Sequence, residues 1–181
     1  MNRTNGKIAE KSKEKFIAAL LSLMKTFTYR DITITQIAQE AMLSRRTFYR
    51  LFETKDSILE QYLLQLFGQL AAMYQQNGKK DYWDAAPLFF SFWKSQEQFL
   101  MLLKDNHMLY TLLEHQDEYY KVLLLSKDNS HPVIVNNPHL PYMTAYSMGG
   151  LINTLIQWVE NDMKDEPSDF LTYIHSIYKN A

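Results

Sequence analysis

Apolar residues recur at three- and four-residue intervals along most of this 181-residue chain. Strict alternation is rare, so the pattern predicts helices and not strands. Phe16, Ile17, Leu20, Leu21, Leu23, Met24 and Phe27 make the first stripe, with Lys11, Lys15 and Lys25 on the opposite face. Residues 28–31 interrupt it. Thr33 then reads as an N-cap, with Gln36 three residues on as its capping-box partner. Ile37, Ala38 and Ala41 face inward, Met42-Leu43 make a turn, and Ser44 caps a third helix. Phe48 and Phe52, four apart, point back to the core. Thr54 caps a fourth helix, with Asp56 against its positive end. Ile58, Leu59, Tyr62, Leu63, Leu66, Phe67, Leu70 and Met73 carry that helix to about Tyr74, joining the two halves of the chain.

Further helices are predicted over 83–94, 96–104, 106–126, 141–163 and 167–179. The breaks fall at 78–80, near Ser95, at 126–138 and at 164–167. The fold class is therefore all-α: a three-helix head with a helix-turn-helix at 1–53, and a larger helical body at 54–181.

Composition narrows the function. Cysteine is absent, which excludes disulfides, thiolate metal sites and cysteine catalysis. The first fifteen residues are polar and charged, unlike a signal peptide, and a cytoplasmic location is expected. Segment 140–159 carries no charge, yet holds Pro141, Ser147, Asn153 and Gln157, which argues against a membrane span.

Charge changes the picture more. The net charge is −1 overall. Residues 1–56 nevertheless hold eleven Lys/Arg against six Asp/Glu, and all five arginines lie in the first fifty residues. Residues 57–181 hold eight Lys/Arg against fourteen Asp/Glu. A basic head can neutralise phosphates while an acidic body stays off the duplex. Arg45, Arg46, Thr47, Tyr49 and Arg50 lie on the outer faces of the third helix, the place from which a recognition helix reaches base edges and phosphates. Thr35 and Gln36, at the start of the second helix, lie where the DNA backbone should run. Double-stranded DNA is the expected partner.

From Thr33 to Leu59 the sequence resembles the DNA-binding head of the tetracycline-repressor (TetR) family. Thr33, Ile37-Ala38, Ala41, Ser44, Thr47-Phe48-Tyr49, Phe52, Lys55 and Leu59 stand at the family's intervals. The resemblance implies a phosphate contact from Lys55, a linking fourth helix and an all-helical regulatory body. Segment 146–164, with Gly149-Gly150 and Trp158, resembles the penultimate helix of some Firmicutes-type members. Two positions depart from the pattern. Met42 stands where glycine is usual, in a turn whose left-handed backbone disfavours other residues by roughly 1 kcal/mol. Leu51 stands where histidine is common and cannot donate to a phosphate or base.

By analogy with the family, the aromatic body is expected to hold a small-molecule inducer among Trp83, Phe89, Phe92, Trp93 and Phe99, with polar groups from His107 and Tyr110. Ordinary helical core explains the same residues. A charge-free helix over 140–159 must be buried all round, which predicts a homodimer interface of Tyr146, Gly149, Gly150, Ile152 and Ile156 with Phe170, Ile174 and Ile177. No cofactor, metal site or catalytic motif is expected, so an enzyme is the remote reading. The expectation is a homodimeric repressor released from a palindromic operator by an inducer. Its rival is a regulator or activator governed by a protein partner.

Overall fold

The structure is a computed structural model and describes residues 3–77, 82–114 and 138–179. Among these residues there are helices and turns but no strand. The chain divides into two compact units, Met1–Leu63 and Leu64–Ala181, and the division falls inside the fourth helix.

The first unit contains α1 (Arg3–Met24), a 3-10 turn (Tyr29–Asp31), α2 (Ile34–Glu40), α3 (Arg45–Leu51) and the start of α4 (Lys55–Gln76). Phe16, Ile17, Leu20 and Met24 bury one face of α1 against Ile37, Ala38, Phe48 and Phe52. Each such side chain contributes about 1.5–3 kcal/mol on leaving water. Phe16 meets the rings of Phe48 and Phe52 edge-on, at centroid distances of 5.5 and 6.1 Å. The Ser22 hydroxyl donates to Glu40 (2.9 Å), tying α1 to α2. Phe27 departs from the expected stripe. α1 ends at Met24, and Phe27 lies beyond it with 44% of its surface exposed.

The second unit contains the rest of α4, then α5 (Tyr82–Ser95), α6 (Glu97–Asp105), α7 (Thr111–Glu114), α8 (Leu140–Glu160) and α9 (Pro167–Lys179). Phe67, Phe89, Phe90, Trp93, Leu100, Leu103, Ile152, Leu155 and Val159 fill its core. Phe170 of α9 packs on Phe90 and Trp158, at centroid distances of 5.1 and 6.2 Å.

Three helices end in the same way. The amides of Leu43, Met108 and Met163 each reach back five residues to a carbonyl, and those of Met42, His107 and Asp162 reach back three. Met42, His107 and Asp162 stand at φ of 52°, 56° and 55°, the left-handed turn that closes a Schellman motif. The closure at His107 corrects the helix expected over 106–126. Residues 106–110 form turns and α7 begins only at Thr111; 115–126 lie outside the described residues.

At the third closure, Lys104 Nζ donates to Glu160 O (2.9 Å) and Asp162 Oδ1 (2.6 Å), while Lys164 Nζ donates to Asp162 Oδ2 (3.0 Å). These two ammonium hydrogen bonds, Lys104 first, hold the Asp162 carboxyl down at about 2. Among the described residues, no helix is long and apolar enough to cross a membrane.

Candidate nucleic-acid interface

Local hydrogen bonding builds the helix-turn-helix. Thr33 Oγ1 accepts from the Gln36 amide (3.2 Å), and Gln36 Oε1 accepts from the Thr33 amide (2.8 Å) and hydroxyl (2.7 Å). This reciprocal box starts α2, where Thr35 is exposed and Gln36 half-buried. Met42, 85% exposed, makes the tight turn. Ser44 Oγ then accepts from the Thr47 amide (3.1 Å) and starts α3. The Thr47 hydroxyl lies 2.9 Å from Ser44 Oγ, inside the same cap.

Helix geometry distributes the side chains of α3. Phe48 is fully buried and fixes the inward direction. At about 100° per residue, Arg46 and Arg50 fall about 160° to either side of it, so together they form the outermost ridge. Arg45 and Tyr49 share one flank. The Arg45 guanidinium lies 5.9 Å from the centroid of the Tyr49 ring, which is 53% exposed and meets Phe48 edge-on. Arg45, Arg46 and Arg50 are all exposed. A surface helix with its cations outward, seated on an aromatic core, can enter a major groove and offer planar donors to base edges and phosphates.

Acidic groups in the first unit are partly occupied. Glu40 accepts from Ser22, and Asp56 Oδ1 accepts from the Tyr29 hydroxyl at 2.5 Å. Burial, helped by Asp56, raises the Tyr29 phenol well above its ordinary value.

Lys55, expected at a phosphate, is engaged within the chain. Its Nζ donates to the carbonyls of Tyr29 (2.6 Å), Arg30 (3.1 Å) and Ile32 (3.0 Å). An ammonium has three N–H groups, so none is left over. Sequence reasoning also passed over Tyr29, because its partners lie 26 and 27 residues away and carry no periodic signal. The neighbouring cap is as expected: Thr54 Oγ1 accepts from the Ser57 amide at 3.2 Å.

In the second unit, the residues expected around an inducer lie in different surroundings, though Phe89 and Phe92 both meet the Trp93 ring, at 6.2 and 5.5 Å. Phe89, Phe92, Trp93 and Phe99 are buried in packed core, and the Trp93 indole N–H has no acceptor among the described residues. His107 closes α6 at the surface, and Tyr110 is 66% exposed. Trp83 of that set lines a cleft among the described residues, a space of about 320 Å³ between α5, α8 and α9. Phe90, Tyr146, Gly150, Thr154, Leu171 and Ile174 complete most of its wall, and no charged side chain lines it.

The expected dimer residues divide between two faces. Ile152 (0% exposed) and Ile156 (6%) point into the chain's own core, which corrects their placement in an interface. α8 is therefore not buried all round within one chain. Tyr142, Tyr146, Gly150, Asn153 and Gln157 make an exposed stripe along it, with Gly149 half-buried alongside. Tyr173 and Ile177 are exposed on α9, while Ile174 and Phe170 are half-buried.

Residues 16–62 match the family described as bacterial regulatory proteins, tetR family. The match spans α1 from Phe16 through the first turns of α4, and with them the whole helix-turn-helix. It supports a DNA-binding transcriptional regulator. No curated protein matches the chain.

Proposed function

We propose that this chain is a homodimeric repressor that binds a palindromic operator and is released by a small neutral ligand. One observation carries the reading. On the Ser44-capped α3, Arg46 and Arg50 form an outward ridge opposite the buried Phe48, inside the segment that matches a DNA-binding family. On this reading the two arginines face the groove. Arg45, beside the Tyr49 ring, and the Thr35 hydroxyl face the phosphates.

The exposed Tyr142, Tyr146, Tyr173 and Ile177 support assembly. They bring apolar area without charge to neighbouring helices, and a second copy would cover them. Dimerisation places two α3 helices across a two-fold axis, reading half-sites about one helical turn apart. The uncharged cleft beside Trp83 supports a neutral, partly aromatic effector. An effector that favours wrongly spaced heads would lower operator affinity through a coupling of about 1–3 kcal/mol. Such a regulator works in the cytoplasm, with its DNA.

Selection of bound duplexes from a random pool tests the reading. The expected result is a palindrome with guanine in each half-site, opposite the arginines. Indifference to sequence at moderate salt would overturn it.

A further inference from the structure

We infer that Lys55 is a positioning residue for operator binding, fastening the first turn of α4 to the 29–32 segment that leads into α2, and that it holds no phosphate. The inference rests on the DNA-binding reading above.

Adjacent residues at the start of α4 grip opposite ends of one tyrosine. Lys55 takes the carbonyl of Tyr29 (2.6 Å) and lies 4.5 Å from the centroid of its ring. Asp56 takes the hydroxyl of the same residue at 2.5 Å. Lys55 also takes the carbonyls of Arg30 and Ile32, at 3.1 and 3.0 Å. These oxygens lie in and just beyond a 3-10 turn, at whose end negative partial charge gathers, and Tyr29 O also accepts from the Ile32 amide at 3.2 Å. Tyr29 and Ile32 are both buried, so water would replace the ammonium poorly.

The joint has consequences for the reading head. Ile32 precedes Thr33, the N-cap of α2, and Thr54 caps α4 immediately before Lys55. The starts of α2 and α4 therefore share one fastening, made by a single cation. A displacement of α4's first turn would pass to α2, and through the Met42 turn to α3. If Lys55 swung out to a phosphate, three carbonyls would lose the ammonium together, and of these Tyr29 O would keep the Ile32 amide.

The charge-keeping variant separates a joint from a phosphate contact. A phosphate accepts arginine in place of lysine. The joint does not, because a planar guanidinium cannot direct three N–H groups from one point at three converging carbonyls. The experiment measures affinity of the full chain for a selected operator duplex across a salt series, for Lys55→Met, Lys55→Arg and Tyr29→Phe. Both lysine variants are expected to weaken binding about tenfold at every salt concentration. The slope of log affinity against log salt stays native. Tyr29→Phe, which keeps the cation but removes the Asp56 anchor, weakens binding in the same parallel way.

The proposal is overturned if Lys55→Met lowers the slope by about 0.9 for each head while Lys55→Arg binds like the native chain. It is also overturned if Lys55→Met leaves affinity unchanged. If circular dichroism shows Lys55→Met unfolded, Lys55→Arg and Tyr29→Phe decide the matter by the same slopes. A native chain that prefers no duplex would instead overturn the DNA-binding reading, and this inference with it.

Discussion

The ring of Phe48 meets the ring of Phe16 edge-on, with centroids 5.5 Å apart and planes at 90°. Both side chains are fully buried, so α3 is seated on α1 through this pair. Phe48→Ala leaves a cavity and should destabilise the head by about 3–5 kcal/mol. Arg46→Ala, on the opposite face, should change stability by no more than about 0.5 kcal/mol. Denaturant melts followed by circular dichroism check both. Equal losses would mean the faces of α3 are assigned wrongly.

Arg46 and Arg50 should act on DNA in proportion to their outward position. Replacing either with alanine should cost about 1–3 kcal/mol of operator affinity and relax the preference at one base pair of each half-site. Arg45→Ala should weaken all sequences alike and lower the salt slope. Titration of single-substitution duplexes distinguishes these outcomes. A uniform loss for all three arginines would count against the ridge as the base-reading surface.

Met42 sits at φ 52° with 85% of its surface exposed, so it bears backbone strain and little packing. Met42→Gly should stabilise the head by up to about 1 kcal/mol, the strain relief being offset in part by a freer unfolded chain. The midpoint of chemical denaturation should rise. A fall would mean that the methionine side chain contributes packing in solution.

Tyr146 and Ile152 lie on the same helix but face different surroundings, at 64% and 0% exposure. Tyr146→Asp should yield a folded monomer, because the side chain is mostly exposed at the rim of the cleft and the carboxylate would meet the proposed second copy. Ile152→Asp should unfold the second unit, because a buried unpaired charge has no compensation. Sedimentation and circular dichroism together separate the two. A native chain that is monomeric at micromolar concentration, yet occupies a palindrome fully, would overturn the dimer.

The Asp162 carboxyl titrates at about 2, below its ordinary 3.8, because Lys104 and Lys164 bond its charged form. A depressed folded value means that the stabilising effect is complete above the ordinary value and is lost as pH falls from near 3.8 towards about 2. Lys104→Met should raise the midpoint, which NMR titration of the side chain reads directly.

Local chemistry was legible without the fold. Hydrophobic spacing placed α2, α3 and α4 within one or two residues, since each rests on a stripe and a cap that neighbouring residues supply, and placed α9 by its stripe and the break before Pro167. Thr33, Ser44 and Thr54 were readable as caps because a capping bond spans only three residues. The turn at Met42 was readable from its place between two such caps, and its left-handed backbone from the glycine usual there in the family it resembles. Periodicity also set Phe48 opposite the arginines, which is most of what the candidate interface requires.

Tertiary structure decided what depends on distant partners. The resemblance gives Lys55 a phosphate contact at a helix start, and only folding brings the Tyr29, Arg30 and Ile32 carbonyls around it. The charge-free stretch of α8 showed that burial was needed but not on which side. Packing against the chain's own core took Ile152 and Ile156 and left Tyr142 and Tyr146 outside. The aromatic residues of the body could equally have lined a cavity or filled a core. Spacing along one helix fixes which side chains share a face, but the neighbouring helices determine what each face meets.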